Sequence, residues 1–305
     1  MKASISIASR GAQMLSALLL TTTLSTTALH ADTKSDLADV YAKGINAILF
    51  FTSEDVISSG HYSFDTSDTT LDTHFIPFTH QFDSDSDFYN FYANGSIGFS
   101  KYKELLSPTD KLDITTYALK AGGGVRLQIA QDTDMMVGAA YLYSYSDSTF
   151  KHNPPLTGDL KAILNGNKKH HTYELSSSVG YHPTVNGYQP YARAGIRYFK
   201  TDIDSPYATI SKTTSTLGKF KIGVITPPVT TLYGLPLKLE FYTSAVFLGG
   251  DMDDVLGFDH FFTAGATAHL GTSTLVSWVD EVTFDVNVVK GENFDGFNFG
   301  FGLSF

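Results

Sequence analysis

The chain has 305 residues, of which 42% are hydrophobic and 17% charged, with a net charge of −10 and no cysteine. The acidic balance speaks against a nucleic-acid partner, and the missing cysteine removes any disulfide framework, thiol catalysis or cysteine-ligated zinc. The length suits one large β domain or two ordinary ones.

Lys2 and Arg10 are the only charges before Asp32. An apolar stretch, Met14 to Leu20, follows them, and the segment leaves through Thr27-Ala28-Leu29-His30-Ala31. A positive head, a short apolar centre and a small-residue exit are the pattern of a secretory leader. Residues 1–31 are therefore read as a signal peptide cut after Ala31, with Ala28 as the alternative. The apolar centre falls short of the roughly 20 residues that a spanning helix needs. No later run reaches that length either, but barrel strands alternate apolar and polar residues and escape a hydropathy scan.

Residues 32–52 read as a helix. Ser35 or Asp36 can cap it, and Leu37, Val40, Tyr41, Ile45, Ile48 and Leu49 recur at three- and four-residue spacing on one face. Gly44 weakens the helix by about 1 kcal/mol. From residue 53 to 305 the period is 2. Strands are expected near 56–64, 69–82, 88–103, 114–130, 135–147, 171–184, 188–203, 215–226, 235–248, 259–270, 276–289 and 297–305. In 114–130, Tyr117, Leu119, Ala121, Val125, Leu127 and Ile129 share one face, opposite Thr116, Lys120, Gly122, Gly124, Arg126 and Gln128. At the end, Phe297, Phe299, Phe301, Leu303 and Phe305 alternate with Asn298, Gly300, Gly302 and Ser304. Most of these strands exceed the roughly nine residues that cross a tilted bilayer. The fold class is all-β: a twelve-stranded antiparallel transmembrane β-barrel with a short N-terminal helix, which is either a lumen plug or a periplasmic cap.

The connections support this. Long ones, such as 148–170, 204–214 and 249–258, mostly alternate with short ones, such as 131–134, 185–187 and 271–275. Asn186-Gly187 is a tight-hairpin pair. Barrels of the outer membrane place long loops outside and short turns in the periplasm. The connection from Pro227-Pro228 to Gly234 is the exception.

Alternation points Lys120, Arg126, Arg193, Arg197, Lys219, Lys221 and Lys238 into the lumen, with Glu174, Glu240, Glu281 and Asp285. Such charges either pair across strands or line a water path; pairing is the favoured reading, and the basic excess would bias a water path towards anions. His61 and Ser63 share a strand face, and His-x-Ser resembles the catalytic pattern of barrel lipases and lipid A deacylases. The following hairpin, His74-Phe75-Ile76-Pro77, offers no Asn or Glu to orient the histidine, so no catalytic residue is assigned. The acidic runs Asp83 to Asp87 and Asp251 to Asp254 read as solvated turns rather than calcium sites. The adjacent His170 and His171 point to opposite faces of a strand. No cofactor or metal is expected.

The terminal Phe301, Leu303 and Phe305 resemble the signal read by the barrel-assembly machinery of Gram-negative bacteria. Twelve strands behind a helix resemble the translocator domain of autotransporters, over residues 36–305. About four residues separate the leader from the helix, leaving no passenger, so the chain is similar to the solitary autotransporter-type barrels. The resemblance implies a non-enzymatic outer-membrane protein, exported by a cleaved leader, with lipid and the assembly machinery as partners. A monomeric, narrow, plugged pore is expected. The alternatives are a lipid-modifying enzyme, or an adhesin or receptor acting through the loop 148–170.

Overall fold

The structure is a computed structural model. It describes residues 38–39, 43–44, 59–64, 68–82, 84–107, 110–152, 157–204, 212–256, 258–273 and 279–304. In chain order the elements are β1 (Gly60–Phe64), β2 (Asp68–Gln81), β3 (Tyr89–Ser107), β4 (Asp110–Ala130), β5 (Thr133–Lys151), α1 (Gly158–Leu164), β6 (Gly166–Tyr181), β7 (Gln189–Ile203), β8 (Lys212–Ile225), β9 (Thr230–Leu232), β10 (Leu235–Gly250), α2 (Asp251–Leu256), β11 (His260–Gly271), β12 (Glu281–Gly291) and β13 (Phe294–Ser304).

Twelve of the thirteen strands form a closed antiparallel ring. Each pairs with the next, β8 passes to β10, and β13 returns to β1. The thirteenth, β9, is a three-residue strand that pairs only with β10. It explains the one connection that was too long for a tight turn: the chain makes a small hairpin there, turning at Tyr233 and Gly234, whose φ angles are 54° and 83°. Asn186 and Gly187 turn the neighbouring hairpin with φ of 53° and 83°, the doubly positive geometry that selects this pair.

The outer face carries exposed large apolar side chains around the ring, among them Ile97, Leu119, Leu175, Ile196, Phe241 and Phe297. A surface so broadly apolar requires lipid rather than water.

Several strands run further towards the long-loop end than alternation suggested. β4 has 21 residues and β3 and β5 have 19 each. The expected loop 148–170 shrinks accordingly, since β5 continues to Lys151 and β6 starts at Gly166, with α1 between them. Here the alternation reverses phase. On β4, Lys111 and Asp113 face outward and pair at 3.1 Å, while Leu112 and Ile114 are buried inside. Below them Tyr117 and Leu119 are exposed outside and Lys120 is buried inside. The wall has left the lipid, so polar groups face out and apolar groups face in.

Those inward apolar residues form one cluster that fills the lumen at the long-loop end. It contains Tyr62, Leu71, Leu112, Ile114, Phe150, Phe199, Leu217, Val246, Phe261, Val289 and Phe294 from the strands, and Ile163, Leu164 and Met252 from α1 and α2. Phe294 stacks on Tyr62 at 5.4 Å and on Phe258 at 5.2 Å. Of the segment 32–52, the described residues Ala38, Asp39, Lys43 and Gly44 are helical. Ala38 is buried in the same cluster, and Lys43 Nζ lies 2.8 Å from Asp251 Oδ1 in α2. The other residues of that segment, including its apolar stripe, lie outside the described residues, as do residues 56–58 of the expected first strand.

β1 is short, and its start leaves a seam. Below Gly60, β13 and β2 meet directly in parallel, with Leu303 opposite Phe78 and Ser304 opposite Thr79. Ser59 bridges the gap above that contact. Its Oγ accepts from the Phe75 amide at 2.8 Å, and its carbonyl accepts from the Phe299 amide at 2.8 Å. Alternate amides of a strand point to the same side, so Pro77, two residues after Phe75, sits where its missing N–H would face the seam.

Candidate functional site in the barrel lumen

Three ion-pair clusters sit on the inner wall. The first joins Lys120 of β4 to Glu174 of β6, both buried, with Arg197 Nε of β7 at 3.9 Å from the same carboxylate. The second centres on Asp134 at the start of β5. Arg126 approaches it at 2.5 Å, Arg193 spans both its oxygens at 2.8 and 3.0 Å, and His182 Nε2 lies at 3.1 Å. The third centres on Glu240 of β10. It accepts from Lys221 at 2.7 Å and from the Tyr191 hydroxyl, and His269 Nε2 lies 2.9 Å from its second oxygen. His269 Nδ1 also lies 2.9 Å from Glu281, and Lys221 sits 3.9 Å from the Tyr242 ring centre. Tyr242 in turn donates to Asp285, which also accepts from Thr267 at 2.7 Å and Asn287 at 2.6 Å.

These contacts cross strands distant in sequence. Register makes them possible: Glu240 and His269 lie on neighbouring strands, and Arg193 is opposite Lys221 and Gly180. In a low-dielectric wall, a buried carboxylate is tolerable only when several donors surround it, and each of these has at least two.

A cavity of about 380 Å³ lies against all three clusters. Its lining includes Tyr92, Asn94, Glu174, Ser176, Ser178, Arg193, Arg197, Leu217, Lys219 and Lys221. Tyr92, Met136 and Arg193 stand near the beginnings of β3, β5 and β7 and Lys221 near the end of β8, so the cavity occupies the short-turn half of the barrel. Leu217 belongs both to its lining and to the apolar cluster above.

The lumen residues singled out by alternation thus fall into different settings. Lys120, Glu174 and Arg197 meet; Arg126 and Arg193 meet through Asp134; Lys221 and Glu240 meet. Lys219 lines the cavity, and Lys238 is half-buried in register with His269. Asp134 and His269 escaped the sequence reading. The expected strand starts at Met135 and leaves Asp134 in a turn, although it shares parity with the inward Gly138 and Ala140; one more residue on the strand exposes it. Between Phe261 and His269 the inward face of its strand is small or hydroxylated, Thr263, Gly265 and Thr267, which gives no strong alternation to extend.

On the outer face, His61 Nδ1 lies 2.7 Å from Asp72 Oδ1, and Asp72 is its register partner on β2. The pair borders a crevice of about 360 Å³ walled by His74, Phe99, Lys101, Phe297 and Phe299. The orienting group is Asp72, on β2 two residues before the stretch His74 to Pro77. Ser63 shares the face, but among the described residues no hydrogen bond joins it to His61. His170 is buried inside the barrel, whereas His171 faces out and meets Tyr141 Oη at 2.5 Å. Asp251 pairs with Lys43 and accepts from the Thr214 amide at 2.8 Å. Asp83 lies outside the described residues. Among the described residues no group of three His, Asp or Glu side chains is placed to hold a metal. Phe301 is exposed on the outer face, with its ring 5.3 Å from that of Phe284, and Leu303 pairs with Val282 and Phe78. Phe305 lies outside the described residues.

A family model described as the solitary outer membrane autotransporter beta-barrel domain matches residues 42–301. No curated protein sequence matches. The fold is similar to the beta domain of the Bordetella autotransporter Brka, at 10% identity and a TM-score of 0.55, covering 81% of this chain and 96% of that one. It is similar to the transport unit of the autotransporter AIDA-I from Escherichia coli, at 10% identity and a TM-score of 0.54, covering 88% and 99%. The translocator domain of autotransporter NalP from Neisseria meningitidis aligns at 11% identity and a TM-score of 0.52, covering 88% and 96%. At these identities the likeness shows the fold alone.

Proposed function

This chain belongs to the solitary outer-membrane autotransporter β-barrel family, and from that premise we propose that it is a non-enzymatic, plugged barrel of the Gram-negative outer membrane. In this reading residues 1–31 are a cleaved leader, residues 32–52 a stopper, and residues 53–305 the membrane barrel. Phe301, Leu303 and Phe305 serve recognition by the assembly machinery, and the monomer sits in lipid without further partners. The inward charges act first as cross-strand braces.

One observation carries the stopper: Ala38 is buried in the apolar cluster at the long-loop end, while Lys43 holds Asp251 at 2.8 Å. An apolar helical stripe left in water would lose about 1.5–3 kcal/mol for each large side chain, so the cluster is a favourable place for it. The test is single-channel conductance in planar bilayers. The mature chain should conduct little, and removal of residues 32–50 should raise conductance several-fold. Equal conductance would move the helix to the membrane interface and end the stopper reading.

A second reading, a lipid-modifying enzyme, draws on the His61–Asp72 pair beside an apolar crevice on the lipid-facing wall. A histidine oriented by a carboxylate supplies two members of a nucleophilic triad, and Ser63 is the candidate third. Lipid hydrolysis that vanishes in Ser63→Ala would favour it over the plugged barrel.

A further inference from the structure

The lumen clusters are built with the acids behind and the bases in front. The carboxylates at their centres, Asp134, Glu174 and Glu240, have side chains exposed by no more than 8%. Arg193, Lys221 and Arg197 keep 34%, 28% and 23% of their side chains exposed. They share the lining of one cavity with Lys219. Asp134 and Glu240 stay out of that lining and Glu174 enters it with a side chain only 7% exposed, so the surface that faces the cavity is predominantly cationic. Asp134 alone is shared by two guanidinium groups, so that cluster carries net positive charge. Uncharged donors share the lining: Tyr92, Asn94, Ser176 and Ser178. Arg193 already donates to Ser178 Oγ at 3.1 Å, which keeps its planar fork in one orientation.

A brace would not need this arrangement. Pairing alone is satisfied by one base for each acid, buried together, as Lys120 and Glu174 are. A layer of partly exposed, pre-oriented cations on a concave low-dielectric surface instead focuses positive potential into the cavity. The volume, about 380 Å³, lies within the range of small-molecule sites. Arginine forks and lysine ammoniums with hydroxyl neighbours are the donor set for phosphate oxygens.

We propose that this vestibule binds a small phosphate-bearing anion, entering from the short-turn end beneath the apolar cluster. The wall between vestibule and lipid is continuously hydrogen-bonded at β5 to β8, so the ligand is a soluble phosphate rather than a lipid head group. The site does not depend on the stopper: it would bind with residues 32–50 present or removed.

The experiment uses the full mature chain folded in detergent, with inorganic phosphate as the probe and calorimetry as the readout. Saturable binding is expected, weakening as chloride rises. The double variant Arg197→Gln/Lys219→Gln should bind at least about tenfold more weakly, the loss expected for two charge-assisted contacts. Lys101→Gln/Lys103→Gln, on the outer face, should bind like the parent. Non-saturable heat, or equal affinity in the lumen variant, overturns the proposal. Loss of binding in the outer-face variant alone assigns the phosphate to the outer-face lysines and overturns it too. Should the lumen variant fail to fold, Ser178→Cys in the otherwise parental chain decides: phosphate should slow its labelling by a water-soluble thiol reagent several-fold, and unprotected labelling refutes the site.

Discussion

At the scale of the residue, the stability of the lumen rests on a few carboxylates that could not survive alone. Glu174 is buried with Lys120, and its second neighbour, Arg197, stands off at 3.9 Å. Removing Lys120 takes away the nearer cation of a buried carboxylate, and breaking a buried pair costs about 3–5 kcal/mol, because the remaining charge loses most of its compensation. Lys120→Met should therefore lower the unfolding free energy of the barrel by that order, read as a lower urea midpoint for loss of the compact band in an unheated detergent gel. Lys120→Met/Glu174→Leu should recover most of the loss, since an apolar pair of similar volume removes the stranded charge along with its partner. A double variant as unstable as the single one would mean that Glu174 is held by neighbours other than Lys120. Asp134 follows the same logic with the signs exchanged. Its removal would leave Arg126 and Arg193 facing each other without the anion between them.

At the scale of the element, what could be read from the sequence depended on which solvent each strand face meets. In the lipid-facing belt the outward face is uniformly apolar, and strands such as that carrying Tyr117, Leu119 and Lys120 were legible residue by residue. Towards the long-loop end the same strand reverses phase at Thr115 and Thr116, because water replaces lipid outside and the apolar cluster replaces water inside. A rule that seeks one phase stops there, so it ends β5 before Ser148 and leaves its continuation to Lys151 in a loop. The inward clusters were legible by parity wherever the strand limits were right, and Asp134 was lost with a misplaced limit. The partner choices within them, such as Arg126 with Asp134 rather than with Glu174, depend on register across strands, which alternation does not encode. The seam could not be read at all: it exists because β1 begins at mid-wall, and Ser59 is too small a residue to announce its role. Ser59→Ala would leave the Phe75 amide without its side-chain acceptor in a buried position, at a cost of about 1–3 kcal/mol. The expected outcome is a lower unfolding midpoint with faster amide exchange confined to β1, β2 and β13; exchange unchanged in those strands would show that the ring closes without that bridge.

At the scale of the whole molecule, the lumen is divided along its axis into an apolar half under the long loops and a charged half under the short turns. The division follows from the ring itself. Twelve strands leave an interior wide enough that side chains alone fill it only where large apolar groups converge, and Phe261, Phe294, Tyr62, Leu112 and Ile163 converge at one end. At the other end, small residues and paired charges leave the vestibule open. Solutes should therefore reach the vestibule from one side of the membrane. The absence of cysteine makes this directly measurable, because a single introduced thiol is the only one present. Ser178→Cys lines the vestibule, whereas Ser146→Cys would lie on the inner wall nearer the long loops, where Ser146 is almost fully buried and bonded to Thr116. With a membrane-impermeant thiol reagent too large to pass general porins, Ser178→Cys should stay unlabelled in intact cells. It should react once the periplasm is opened, while Ser146→Cys stays protected in both conditions. Labelling of Ser178→Cys in intact cells would mean that the apolar half admits water-borne molecules from outside. The cluster would then be a constriction rather than a seal, and the conductance of the full chain should rise to match.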